Sequence, residues 1–159
     1  MPVAEIELPA HPRYVAQARR FVRDTLALWR CDDLILATEL VVSELVSNGV
    51  LHARSPLRLT VSFENDAVTV EVSDDSPTVP VRRYYSDDAT TGRGLGLVAE
   101  LSNGEWGSRT RPGGKTVWAR VRAAAGGGGH IAGIQVEPES GWLSAADPSS
   151  LRGPVVLAA

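Results

Sequence analysis

The longest apolar stretch of the chain, which ends near His52, is the feature that most restricts its fold. Asp32 or Asp33 is a natural N-cap at the start of this stretch, because a short acidic side chain accepts a hydrogen bond from a free N–H group of the first turn. Gly49 lies near the end of the stretch, and Pro56 follows as a stop signal. These signals predict one helix, longer than any other in the chain.

Two polar side chains, Glu44 and Asn48, interrupt the apolar face of this helix. At about 100° per residue, they fall on one stripe, which also contains the apolar residues Leu40, Val41, Leu45 and Leu51. A carboxylate and an amide are unfavourable on a buried face unless a partner satisfies them. One interpretation places Glu44 at the edge of the core, where it reaches solvent, with Asn48 as an ordinary helix-end residue. The other directs the stripe into a cleft, where the two side chains suit Mg²⁺ held jointly with substrate phosphates.

The composition is that of one ordinary globular domain. The chain has 159 residues, 43% hydrophobic and 22% charged, which is typical neither of disordered nor of fibrous proteins. Because we find no membrane-length apolar run and no signal-peptide pattern at the N-terminus, we expect a cytoplasmic protein with no membrane partner. The net charge of −3 makes nucleic acid a poor partner. The lone Cys31 argues against a disulfide scaffold and a zinc finger.

Alternation and helical spacing predict the other elements of the domain. Two alternating runs on either side of Asn65-Asp66 predict a β-hairpin. Apolar residues at three- and four-residue spacing predict an amphipathic helix over Tyr14–Trp29, whose apolar face we expect to pack in the core rather than bind a partner. The remaining predictions are strands at Glu5–Leu8, Trp106–Thr110 and Lys115–Arg122 and a short helix at Leu95–Leu101.

The composition changes after Ala123, where a run of alanines and glycines begins. We therefore place the globular domain at residues 1–123. Residues 124–159 are interpreted as a Gly-rich linker and a tail that is either flexible or docked on the domain.

Two further segments have the chemistry of a nucleotide site. One strand ends in Asp74-Asp75, where a carboxylate could accept a hydrogen bond from an exocyclic amine, although a turn explains the same residues. The long polar stretch that follows is typical of a functional loop. Residues 92–96 (Gly-Arg-Gly-Leu-Gly) then lead into a helix, and glycine lets backbone N–H groups approach an anion. The dinucleotide and P-loop motifs do not match, because their glycines are misplaced.

In this order, the segments resemble the GHKL superfamily of ATP-binding domains, and within it the bacterial anti-sigma-factor serine kinases. Residues 39–53 (ELVVSELVSNGVLHA) are similar to the N box, 72–76 (VSDDS) to the G1 box, 92–97 (GRGLGL) to the G2 box and 114–118 (GKTVW) to the closing strand. The resemblance covers residues 5–122. It implies a two-layer α/β sandwich of the α+β kind, with a mixed, mostly antiparallel sheet, helices on one face and a Bergerat-type ATP site.

The same resemblance implies a role for each site residue. Glu44 would act as the general base or orient the attacking hydroxyl group, and Asn48 would bind Mg²⁺ and, with it, ATP. Asp74 would accept a hydrogen bond from the adenine amine. The other expected nucleotide-binding residues are Ser76 and Thr116 on the adenine side and Gly92, Arg93, Gly94, Leu95 and Gly96 around the phosphates. Ser76 stands where many relatives have glycine.

The function implied is that of a serine/threonine kinase acting on an anti-sigma-factor antagonist, with the same domain also sequestering a sigma factor. Both proteins are expected partners, a homodimer is a further expectation, and effects on transcription would run through protein contacts. The alternative is a nucleotide-binding or vestigial module that sequesters a partner without kinase activity, which Ser76 favours. A complete histidine kinase ranks lowest, because His11, His52 and His130 do not lie in a phosphoacceptor helix pair.

Overall fold

The computed structural model describes residues 1–52, 55–75 and 93–123, together with the backbone of residues 156–158. The elements in chain order are β1 (Val3–Leu8), α1 (Val15–Leu28), α2 (Ile35–His52), β2 (Leu57–Glu64), β3 (Ala67–Asp74), α3 (Arg93–Leu101), β4 (Trp106–Arg111), β5 (Gly114–Arg122) and β6 (Val156–Ala158). The predicted helices and strands of the domain are therefore confirmed, with ends that shift by one or two residues.

The strands form one sheet in the order β4-β5-β3-β2-β1-β6. Every pairing between the described strands is antiparallel, so this part of the chain contains none of the parallel pairs that a mixed sheet would include. Asn65 and Asp66 join β2 to β3 with φ angles of 52° and 55°, the left-handed conformation that a tight two-residue hairpin turn requires. The α+β prediction is confirmed.

The second layer consists of the helices, with α2 at its centre. α2 packs against α1 and α3 on its sides and against β2, β3 and β5 beneath, which explains why apolar residues occur around most of it. The segment Asp32–His52 is long and apolar enough to cross a membrane by length and composition alone, but its buried residues form part of the core, as in the central helix of a soluble domain. Asp32 and Asp33 do not cap α2 as predicted; they lie in a 3-10 turn that precedes it.

The core lies between the helices and one face of the sheet. Val70 and Val72 of β3 and Ala119 of β5 are buried on this inner face. α1 contributes its apolar stripe, Ala18, Phe21, Val22 and Leu26, all buried, so core packing of this helix is confirmed. Cys31 is buried as well, and burial, with a smaller contribution from the Asp32 charge, raises the pKa of its thiol.

The C-terminal half of α2 lies close to the sheet at Gly49. A Cβ atom at this position would be 3.0 Å from Leu57 Cδ1 and 3.5 Å from Val72 Cγ1. The absence of a side chain therefore lets α2 approach β2 and β3 closely. This contact holds the end of α2 above the end of β3, where the strand terminates at Asp74.

The far end of the chain contributes an edge strand. Residues 156–158 pair antiparallel with Val3–Glu5 of β1. The predicted linker lies outside the described residues, and the boundary at residue 123 stays a prediction.

Candidate functional site

Glu44 on α2 faces the first turn of α3. The side chain of Glu44 is half-buried, and a Cβ atom added to Gly94 would lie 2.9 Å from Glu44 Cδ and closer still to Oε2. Real Cβ atoms are not found at such distances from a carboxylate carbon. Glycine at position 94 therefore makes room for the Glu44 carboxylate.

The positive end of α3 lies at this same place. The first N–H groups of a helix have no partner within the helix, and the helix dipole adds a partial positive charge there. A carboxylate is stabilised in this environment, and so is a phosphate group. The contact between Glu44 and Gly94 thus puts a proton acceptor next to a region that favours anions.

Asn48 lies one helical turn beyond Glu44 on the same stripe of α2 and is also half-buried. Among the described residues, no group of three or more His, Cys, Asp or Glu side chains could hold a metal ion. The amide oxygen of Asn48 and the nearby carboxylate of Glu44 are oxygen donors that fit Mg²⁺. This ion commonly binds one or two protein oxygens and completes its shell with phosphates and water.

Asp74, at the end of β3, forms a buried ion pair with Lys115 at the start of β5. Lys115 Nζ lies 3.0 Å from Oδ2 and 3.3 Å from Oδ1 of Asp74. The side chains are 3% exposed for Asp74 and 5% exposed for Lys115. The two residues are opposite each other in the β3–β5 register, and alternation from Val72 places Asp74 on the inner face of the sheet.

Thr116 lies on the other face of the sheet. It is opposite Ser73 in the register, and the two hydroxyl oxygens are 2.8 Å apart. The adenine-side contact expected of Thr116 stays a prediction. Because successive side chains of a strand point to opposite faces, Lys115 rather than Thr116 shares the inner face with Asp74. The sequence carried a signal for this, since Lys115 has the same parity as the core residues Val117 and Ala119.

The strands β3 and β5 come unusually close where they hold this pair. A Cβ atom at Gly114 would lie 3.1 Å from the Asp74 carbonyl carbon and 3.1 Å from Asp75 Cα, and closer still to the Asp74 carbonyl oxygen. Arg111 covers this end from the outer face, donating from Nη2 to Asp75 Oδ1 at 2.9 Å. Sequence reasoning assigned no role to the glycine, which the close backbone approach now explains.

The remaining predicted residues divide into two groups. Leu95 is half-buried, and Gly96 is exposed with no atom within 4 Å of the place that a methyl group would take. Ser76, Gly92 and the side chain of Arg93 lie outside the described residues. The structure therefore brings Glu44 to Gly94 and Asp74 to Lys115, and Asn48 lies one turn beyond Glu44 on α2.

A family model for the histidine kinase-like ATPase domain matches residues 8–121. The chain belongs to this family. The matched region contains α2, α3 and the Asp74–Lys115 pair, and membership in a family of ATPase domains implies ATP binding. No curated protein matches the chain.

Proposed function

We propose that this ATPase domain binds Mg-ATP between α2, the start of α3 and the end of β3, and transfers the γ-phosphoryl group to a serine or threonine of an anti-sigma-factor antagonist. The observation that carries the proposal is the position of the Glu44 carboxylate against Gly94 at the positive end of α3. A proton acceptor and an anion-favouring helix end are the two features that phosphoryl transfer to a hydroxyl group needs next to each other.

In this reaction, the acceptor hydroxyl oxygen forms a bond to the γ-phosphorus atom. The bond from that phosphorus to the bridging β–γ oxygen breaks, ADP leaves, and the hydroxyl proton passes to Glu44. Such transfers depend mainly on positioning and on neutralising the phosphate charge. The Glu44 carboxylate would lie next to the acceptor hydroxyl group, and the α3 N-terminus would contribute positive potential.

Asn48 would hold Mg²⁺ through its amide oxygen, together with the phosphates. The ion, when bound, would neutralise charge on the transferring group. Asp74 would accept a hydrogen bond from the base. The proposal includes a sigma factor as the protein that the domain sequesters, and a cytoplasmic location, where both partners occur.

The kinase proposal is tested by following ³²P transfer from ATP to candidate antagonists. Glu44→Gln removes the proton acceptor and nearly preserves the shape, so the rate should fall about 10²- to 10⁴-fold while Mg-ATP still binds. Glu100→Gln is the matched control, because Glu100 is exposed on α3 and should leave the rate unchanged. Full activity of Glu44→Gln would exclude the base role.

The metal role is tested separately by calorimetry. Asn48→Ala should remove the dependence of ATP binding on Mg²⁺, whereas Ser47→Ala, one position along the helix and also half-buried, should keep it. Unchanged Mg²⁺ dependence in Asn48→Ala would contradict the assignment.

A second candidate function is a domain that sequesters a partner without phosphoryl transfer. The Asp74–Lys115 ion pair favours it, because both carboxylate oxygens of Asp74 already lie within hydrogen-bond distance of an ammonium group. Tight binding of a partner with no measurable affinity for Mg-ATP would support this alternative over the kinase.

A further inference from the structure

The strand β4 forms one edge of the sheet. Among the described strands it pairs only with β5, in a register that runs from Trp106 opposite Ala119 to Arg111 opposite Gly114. The last part of the strand, residues 108–111, is exposed. One row of backbone N–H and C=O groups of β4 therefore faces away from the sheet, and such a row is a template for a further strand.

The hydrogen bonds to β5 show which residues of β4 carry this row. The N–H group of Arg120 donates to the carbonyl oxygen of Glu105 at 2.8 Å, and the two residues are opposite each other when the β4–β5 register is continued by one step. In an antiparallel ladder, every second residue bonds the same neighbouring strand. The odd-numbered residues of 105–111 therefore bond β5, and the even-numbered residues turn their backbone groups to the open edge.

Two free donors remain on this edge. The N–H group of Trp106 donates to the carbonyl oxygen of Gly104 at 3.0 Å, so that group is already used within the chain. The N–H groups of Ser108 and Thr110 face the open edge, and so do the carbonyl oxygens of the even-numbered residues.

The long side chains of β4 do not cover the edge. Arg109 pairs with Glu71 of β3, and Arg111 Nη2 lies 2.9 Å from Oδ1 of Asp75, just after β3. Both guanidinium groups therefore reach back across β5, over the sheet. Charged side chains commonly protect an edge strand from pairing, but here the charges lean away from it, and the other exposed side chains of β4 are short and uncharged.

A second copy of β4 fits this edge best in one register. When two β4 strands pair antiparallel with Ser108 opposite its own copy, the even-numbered residues of both edges meet. Gly107 then lies opposite Arg109 of the second copy, and Glu105 opposite Arg111 of the second copy. Like charges directly opposite each other destabilise a sheet, and this register has none. Moving the centre to Arg109 would set two arginines opposite each other, and moving it to Gly107 would leave the last edge residue unpaired.

We propose that the β4 edge is a homodimer interface, in which two copies of the chain join their sheets through antiparallel β4 strands centred on Ser108. A second copy is the occupant because the edge is complementary to itself: the opposition of Glu105 and Arg111 occurs twice, as a two-fold interface requires. The contact is short, so the dimer is weak and forms above about 10 μM. Neither ATP nor Mg²⁺ takes part, so failure of the proposed function would leave this interface unaffected.

The first test is sedimentation equilibrium without nucleotide, from roughly 1 μM to 1 mM chain. The wild-type dimer fraction should rise over this range. Ser108→Pro should stay monomeric, because proline removes an N–H group that the dimer needs and that the single chain leaves unbonded. Ser108→Ala keeps this N–H group and should dimerise like the wild type. A wild type that is monomeric throughout, or a Ser108→Pro variant that dimerises equally well, would overturn the interface.

The second test exchanges charges and does not depend on the proline variant folding. Glu105→Lys and Arg111→Glu each set like charges opposite each other, so each variant alone should dimerise at least about tenfold more weakly than the wild type. In an equimolar mixture, each new charge faces an opposite one, and a heterodimer should form with about the wild-type affinity. A mixture as weak as the separate variants would overturn the register.

The third test measures amide hydrogen exchange by NMR in the wild type. Exchange at Ser108 and Thr110 should slow as the concentration rises, because dimerisation bonds their N–H groups. Exchange at Gly107 and Arg109 should change little, because both already bond β5. A dimer that forms without slower exchange at Ser108 and Thr110 would use another surface, and the inference would be wrong.

Discussion

Gly94 on α3 lies directly against the carboxylate group of Glu44 on α2, and the space between them is too small for a methyl group. Gly96, two residues later in the same helix, has no neighbouring atom within 4 Å of the corresponding position. The two glycines therefore differ in what they do. Gly94 leaves the Glu44 carboxylate in its present position, whereas Gly96 has no such contact in the described part of the chain.

Alanine substitution should change the free energy of unfolding by different amounts at these two glycines. Gly96→Ala should raise the free energy of unfolding by about 0.5–1 kcal/mol, because alanine is the better helix former. Gly94→Ala should gain less than Gly96→Ala, because the Glu44 carboxylate must rotate away from the added methyl group, and its gain should be larger in a Glu44→Ala background. Urea unfolding of the single and double variants measures the coupling. A gain for Gly94→Ala that is the same with Glu44 and with Glu44→Ala would contradict the contact.

The Asp74–Lys115 pair should be costly to break. Asp74→Ala leaves the buried ammonium of Lys115 without its partner, and we expect a loss of about 3–5 kcal/mol in the free energy of unfolding. Glu5→Ala is the matched control, because the Glu5–Arg58 pair has side chains 48% and 55% exposed and should contribute less than about 1 kcal/mol. Chemical denaturation measures the free energy of unfolding of both variants. If Asp74→Ala lost as little stability as Glu5→Ala, the buried pair would be weak.

Gly114→Ala should disturb the junction between β3 and β5. The added methyl group would collide with the Asp74 carbonyl group, which is backbone and cannot rotate away as a side chain can. We expect a loss of about 1–3 kcal/mol and faster amide hydrogen exchange in the part of β5 that begins with Lys115. Exchange rates that match the wild type would mean that the strands do not approach this closely.

The pKa of Glu105 should depend on Arg122. Arg122 Nε donates to Glu105 Oε1 at 3.0 Å, and this hydrogen bond, aided by the charges of Arg122 and Arg120, lowers the pKa of Glu105 below its ordinary value. Carboxyl ¹³C titration should show the pKa of Glu105 rising towards its ordinary value in Arg122→Gln. Arg109→Gln is the control, because Arg109 pairs with Glu71 instead. An unchanged pKa in Arg122→Gln would contradict the assigned cause.

The Glu105–Arg122 pair also determines the direction in which the free energy of unfolding changes with pH. Because the folded state holds the proton of Glu105 less tightly than the unfolded chain does, the contribution of Glu105 to stability is present above its ordinary pKa. That contribution should disappear as the pH falls through the lowered folded-state value. Wild type and Arg122→Gln should therefore differ in unfolding free energy near neutral pH and converge in acid.

Most of the elements could be predicted because their signals are local. Alternation between Leu57 and Phe63, the Asn65-Asp66 turn and the helical spacing within α1 each depend on residues a few positions apart. Glu44 was found in the same way, because a carboxylate on an apolar stripe is visible in one helix. The polar side chains that α2 contributes to the candidate site could thus be predicted from helical periodicity and residue type. This prediction did not require knowing which helices and strands pack together.

Spacing and residue type alone predict a helix carrying Glu44 and Asn48, a hairpin ending in Asp74 and a glycine-rich entry to a further helix. The packing of the folded chain shows that Gly94 rather than Gly96 meets Glu44, and that Lys115 rather than Thr116 lies beside Asp74. Local patterns could not predict these contacts, because they join residues far apart in the chain, 41 positions for Asp74 and Lys115. They depend on strand register and on which face of the sheet the helices cover, and a shift of one residue would exchange the faces.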